Sequence, residues 1–125
     1  MQHILEKKNL DFAFFYNLGS MKINPNMVYF AGYNGLGALV IPKKKRPFLL
    51  APKMEYEKAK KSIVKKVYSI DKKKFFDSAK IVLKRNGIKG KKIAIDSVNF
   101  NLNFYKNFKK EFKGKTKDIS LDCLK

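Results

Sequence analysis

A chain of 125 residues that is 45% hydrophobic and 14% aromatic has the length of one domain and enough apolar content to build a core, which excludes a disordered polypeptide. Its formal charge of +19, from 29 basic and 10 acidic residues, raises nucleic acid and anionic membranes as partners. Only Arg46 and Arg85 are arginines, and bidentate reading of phosphates and base edges favours arginine, so the basicity reads as solvated lysine with no specific nucleic-acid partner.

In chain order, residues 2–9 suit a short helix, and the aromatic run FAFFYN predicts a buried strand over 12–17. LGSMKINPN is dense in turn formers and reads as a loop. MVYFAG, between Pro25 and Gly32, is open between a helical turn and a strand. LGALVI at 36–41 and PFLLA at 47–51 predict a hairpin across the charged turn PKKKR. Pro52 is placed to open a helix through MEYEKAKKS, with Met54 and Ala59 on its inner side.

Strand and helix then alternate: KVYSI at 66–70, the helix KKFFDSAKIVLKRN, KKIAID at 91–96 and the helix FNLNFYKNFKKEF. Phe75, Phe76, Ala79, Val82 and Leu83 recur at helical spacing, and Gly87 supplies the stop. Phe100, Phe104, Phe108 and Phe112 form one stripe, expected in the core. KTKDI at 115–119 predicts a last strand, and Ser120 is placed to cap a helix from Leu121. The expected fold is a single α/β domain over 1–125, a mixed five- or six-stranded sheet flanked by helices, antiparallel at the hairpin and parallel at the later crossovers.

The chemical inventory is thin, with one histidine and one cysteine. His3 lies in the first turn, Cys123 has no cysteine to pair with, and Asp71, Asp77, Asp96 and Asp118 sit at element ends. Glu55 and Glu57, two apart on the predicted helix, point in different directions and read as solvated. GYNGLG at 32–37 precedes a strand, whereas a phosphate cradle follows a strand and opens onto a helix, so a nucleotide loop is not expected. No catalytic or metal-binding residue is assigned. MQHILEKKNL lacks the apolar stretch of a signal peptide and no run is long enough to span a bilayer, so the chain is expected to be cytoplasmic with no membrane partner.

From Pro25 to Lys60, PNMVYFAGYNGLGALVIPKKKRPFLLAPKMEYEKAK resembles the N-terminal domain of the creatinase and prolidase family, in particular the archaeal-type Xaa-Pro dipeptidases. The positions that carry the likeness are Asn26, Tyr29 with Phe30, Gly32, Gly35, Gly37, Pro52, Glu55, Tyr56, Glu57, Ala59 and Lys60. KIAIDSVNFNLNFYKNFKKEF and KDISLDCLK resemble the family's later strands, helix and hand-over segment more loosely. The opening helix is shorter than the family's, and LGSMKINPN is longer than its usual link.

The resemblance implies a parent with a second, pita-bread-shaped domain, absent here, that holds two divalent metals on Asp, His and Glu side chains and hydrolyses a bond before proline. It implies that this chain carries no cofactor and no peptidase activity of its own, with the catalytic domain as a partner in cis. It further implies a homodimer, in which the loop Gly32, Tyr33, Asn34, Gly35, Leu36 and Gly37 approaches the partner subunit's active site and gates substrate. Two alternatives stand beside it: a lysine-rich nucleic-acid binding module, and a free-standing α/β remnant of a split or decayed peptidase gene.

Overall fold

The computed structural model describes residues 2–17, 30–33, 35, 37–64, 66–70, 75–88, 92–95, 102–112 and 115–118. The chain opens with helix α1 (Gln2–Lys7) and strand β1 (Phe12–Asn17). The hairpin β2 (Gly37–Pro42) and β3 (Phe48–Pro52) follows, then a 3-10 turn (Lys53–Glu55) and helix α2 (Tyr56–Lys60). The rest alternates as β4 (Val67–Ile70), α3 (Phe75–Arg85), β5 (Lys92–Ile95), α4 (Leu102–Phe112) and β6 (Lys115–Asp118).

The six strands form one mixed sheet in the order β4-β3-β2-β1-β5-β6. β1 is its seam: it pairs antiparallel with β2 along its whole length, Phe12 opposite Pro42 and Asn17 opposite Gly37, and parallel with β5, Phe12 opposite Ile93. Antiparallel pairing continues from β2 to β3, and parallel pairing joins β3 to β4 and β5 to β6. Every residue of β2 and of β3 is buried. Both faces of the sheet are covered, so these strands read as continuous apolar runs rather than alternating ones.

Alternation instead divides the core in two. Ala13, Phe15, Leu39, Ile41, Leu49, Ala51 and Ala94 face one side, where Leu5 of α1, Ala59 of α2, Ala31 and Tyr33 cover them. Phe12, Phe14, Val40, Phe48, Leu50, Ile93 and Ile95 face the other, against Ala79, Val82 and Leu83 of α3 and Phe108 of α4. As the spacing predicts, both aromatic helices lie on the sheet, and Gly87 ends α3. With φ at +69°, Gly87 donates its N–H to the Lys84 carbonyl while Ile88 donates to Leu83, the paired bonds of a Schellman stop.

Two details depart from the sequence reading. Pro52 does not open a helix: it is the last residue of β3, opposite Ile70, and its extended ψ of 156° turns the chain into the 3-10 segment. Met54 is not on an inner side but 80% exposed, while Ala59 is fully buried. Five residues apart, Met54 and Ala59 would stand about 140° out of phase on an α-helix, and the 3-10 turn that holds Met54 does not bring them onto one face. The loop LGSMKINPN, the stripe position Phe100 and the cap at Ser120 lie outside the described residues, as does the side chain of Phe104. No helix among the described residues is long and apolar enough to cross a membrane.

Candidate functional site

The glycine-containing loop is built between a helical turn and the first residue of β2. Phe30 and Ala31 are helical, and the Ala31 carbonyl accepts a hydrogen bond from the Ile63 N–H at 3.0 Å, tying the loop to the segment after α2. Gly32 turns the chain with φ at +66° and lies under Ile63, whose Cδ1 would stand 3.2 Å from a Cβ built at Gly32. Gly37 starts β2 with φ at +146°, and a Cβ there would collide with the Leu50 carbonyl oxygen of the neighbouring strand. Only glycine admits β2 to the sheet at that point.

Between these ends, Gly35 packs against two functional groups from different parts of the chain. A Cβ at Gly35 would lie 2.6 Å from the Tyr33 hydroxyl and 2.8 Å from Glu55 Oε2. Burial, and secondarily the charge of Glu55, pushes the Tyr33 hydroxyl well above the ordinary tyrosine range. Tyr33 therefore stays protonated across neutral pH. The arrangement supplies a hydroxyl and a carboxylate that fix a loop; it holds no base poised beside a nucleophile.

Of the six loop residues singled out in the sequence, Tyr33 and Gly35 are brought together with Glu55, Gly32 lies against Ile63 and Gly37 against Leu50, while Asn34 and Leu36 lie outside the described residues. Tyr33 is not an outward contact residue. It is 2% exposed and belongs to the core with Leu39, Leu49 and Ala59. The exposed apolar side chain beside the loop is instead Ile63, next to Gly32, at 70% exposure, and Met54, at 80%, is exposed on the turn that carries Glu55.

Sequence reasoning missed Glu55, which it read as solvated. Metal chemistry has no donor set here: among the described residues, no group of three His, Cys, Asp or Glu side chains could hold an ion. The His3 side chain and Cys123 lie outside the described residues.

A mixed six-stranded sheet with helices on both faces and a glycine-containing segment before its antiparallel hairpin defines an α/β domain. Residues 1–123 match the family described as Creatinase/Prolidase N-terminal domain, and the chain belongs to that family. No curated protein matches the sequence.

Among solved structures, a proline dipeptidase from Streptococcus pneumoniae TIGR4 superposes with a TM-score of 0.81 at 18% identity, over 98% of this chain and 90% of that one. The Creatinase/Prolidase N-terminal domain of an X-Pro dipeptidase from Streptococcus pyogenes gives 0.80 at 18% identity, over 98% and 92%. The prolidase from Pyrococcus horikoshii OT3 gives 0.75 at 24% identity, over 98% of this chain but 32% of that one. The chain likewise spans 33% of the X-Pro aminopeptidase from Thermotoga maritima MSB8. At these identities the likeness establishes the fold.

Proposed function

We propose that this chain is the non-catalytic N-terminal domain of a cytoplasmic Xaa-Pro dipeptidase-like metallopeptidase, supporting dimer assembly and substrate access to a partner active site. The observation that carries the reading is the family match over residues 1–123. It is supported by the similar Pyrococcus prolidase and Thermotoga aminopeptidase chains, of which a domain of this fold makes up about a third. In this reading the metal-binding catalytic domain lies in cis.

The loop 32–37 is the element that acts on the partner. Tyr33 packs inside the domain with Glu55 close to Gly35, Ile63 offers apolar surface beside Gly32, and Met54 is exposed on the turn that carries Glu55. A two-domain protein reconstructed from this chain and the catalytic domain of a structurally similar prolidase tests the proposal. Ile63→Ala and Met54→Ala are expected to raise KM for Xaa-Pro dipeptides several-fold while leaving the melting temperature within about 2 °C, since both side chains are exposed and such substitutions change stability by at most about 0.5 kcal/mol. Unchanged KM in both variants, or hydrolysis by the isolated chain with added manganese, cobalt or zinc, would overturn it.

A further inference from the structure

At the opposite end of the sheet from the glycine loop, β2 ends, β3 and β4 begin, and β5 enters beside the start of β1. The turn 43–46 carries Lys43, Lys44, Lys45 and Arg46, and Lys66 precedes β4. Lys43, Lys44 and Lys45 line a cavity of about 210 Å³ whose apolar wall is Pro42 and Ile88, with Gly87 at its edge.

Among the described residues, the groups that receive these cations are neutral. Lys43 Nζ donates to Asn9 Oδ1 at 3.2 Å, Lys45 Nζ to the Asn86 carbonyl oxygen, and Lys66 Nζ to Asn86 Oδ1. Lys66 also sits over the rings of Phe48 and Tyr68, at 6.0 and 5.8 Å from their centroids. Every one of these acceptors is a neutral oxygen or an aromatic face. Two ammonium groups, from the hairpin turn and from the start of β4, thus converge on the single residue Asn86, which the Schellman stop at Gly87 presents.

The ammonium lies close over the glycine: a Cβ at position 87 would stand 2.6 Å from Lys45 Nζ. The carboxylate that lines the cavity is Asp11, whose Oδ2 accepts the Lys92 backbone N–H at 2.9 Å, and it offsets only one of the three lysines there. Like charges gathered on neutral partners repel one another, and an anion bridging them relieves that repulsion.

We propose that this cavity, together with the Lys45 and Lys66 ammonium groups gathered on Asn86 next to its Gly87 wall, is a binding site for a diphosphate or triphosphate group. Lysine ammoniums serve phosphates as point charges without the bidentate fork needed to read bases. A compact anion of several charges engages the rim of a cavity this size at once, whereas a single carboxylate meets one ammonium at a time. A nucleic-acid strand would instead require a continuous groove with stacking rings.

Amide NMR of the 125-residue chain, titrated at constant ionic strength with phosphate, pyrophosphate, ADP and ATP, tests the assignment. Saturable shifts centred on residues 43–45 and 86–88 are expected, with pyrophosphate at least fivefold tighter than phosphate. Equal affinity for ADP and pyrophosphate supports recognition of the free diphosphate; tighter ADP supports a nucleotide source. Lys45→Gln and Lys66→Gln should each weaken binding about fivefold or more, and Lys58→Gln, which removes the same charge from α2, should change it less than twofold. Non-saturating shifts spread over the surface, an equal loss in Lys58→Gln, or preferential binding of duplex DNA would overturn it.

Discussion

The two faces of the sheet are closed by different means. One face is covered by α3 and α4, each eleven residues long, and its packing is ring against ring: Phe14 lies 4.8 Å from Phe108, and Phe108 lies 4.6 Å from Phe112. The other has α1 and α2, six and five residues long, too short to seal it. The loop finishes the closure there, through buried Tyr33 and through Phe30 stacked on Phe15 at 5.6 Å. On this second face the loop read as functional is also structural, so the same segment meets a fold constraint from within and a partner constraint from without.

The largest effect expected is on the helical face. Phe108→Ala removes a fully buried ring that touches Phe14, Phe76 and Phe112 and should cost about 3–5 kcal/mol in urea unfolding. Tyr33→Ala should cost roughly 2–4 kcal/mol, because a loop can collapse into the space more readily than two helices can. A Tyr33→Ala variant as stable as the parent protein would return that side chain to the surface role suggested by its sequence, and would break the contrast between the faces.

How far the sequence could be read follows from the same contrast. The strands and helices of the alternating half were legible because Phe75, Ala79, Val82 and Leu83 repeat at helical spacing, and Gly87 stops α3 by a local bond pattern. β2 and β3 were legible as strands but not as two-sided ones, since a continuous apolar run does not say which residue faces which layer. The burial of Tyr33 was not legible, because its place in a glycine-rich loop does not say which way the ring points, and only the fold sets it among Leu39, Leu49 and Ala59. The gathering of Lys45 and Lys66 on Asn86 joins residues 41 and 20 apart, which no local pattern encodes.

Removing only the hydroxyl separates the packing of Tyr33 from its proton. Its pKa is raised in the folded state, so below about pH 10, the unfolded value, both states are protonated and the contribution is whole. Above that the unfolded chain loses its proton first, and stability falls as pH rises toward the folded value. Tyr33→Phe has no such group. Any advantage of the parent protein over it at pH 8, at most about 1 kcal/mol for a single hydroxyl, should shrink between pH 10 and 11, while lysine titration common to both cancels in the difference. A constant difference across that range would detach Tyr33 from the buried setting that Glu55 and Gly35 give it.

The smallest effect belongs to the ion pair on the helical face. Lys80 of α3 and Glu111 of α4 meet at 2.8 Å, with their side chains 43% and 36% exposed. The pair bridges the two helices above Phe76 and Phe112, whose ring centroids are 6.0 Å apart, so charge and packing offer competing accounts of what joins α3 to α4. Exposed pairs of this kind gain little, because water screens them and two long side chains must be immobilised. A double-mutant cycle with Lys80→Ala and Glu111→Ala should give a coupling energy below about 0.5 kcal/mol that declines further in 1 M salt, where the screening length falls to about 3 Å. A coupling above about 1.5 kcal/mol that resists salt would mean that the helices are joined by charge as much as by their rings, and the helical face would then owe its closure to more than apolar packing.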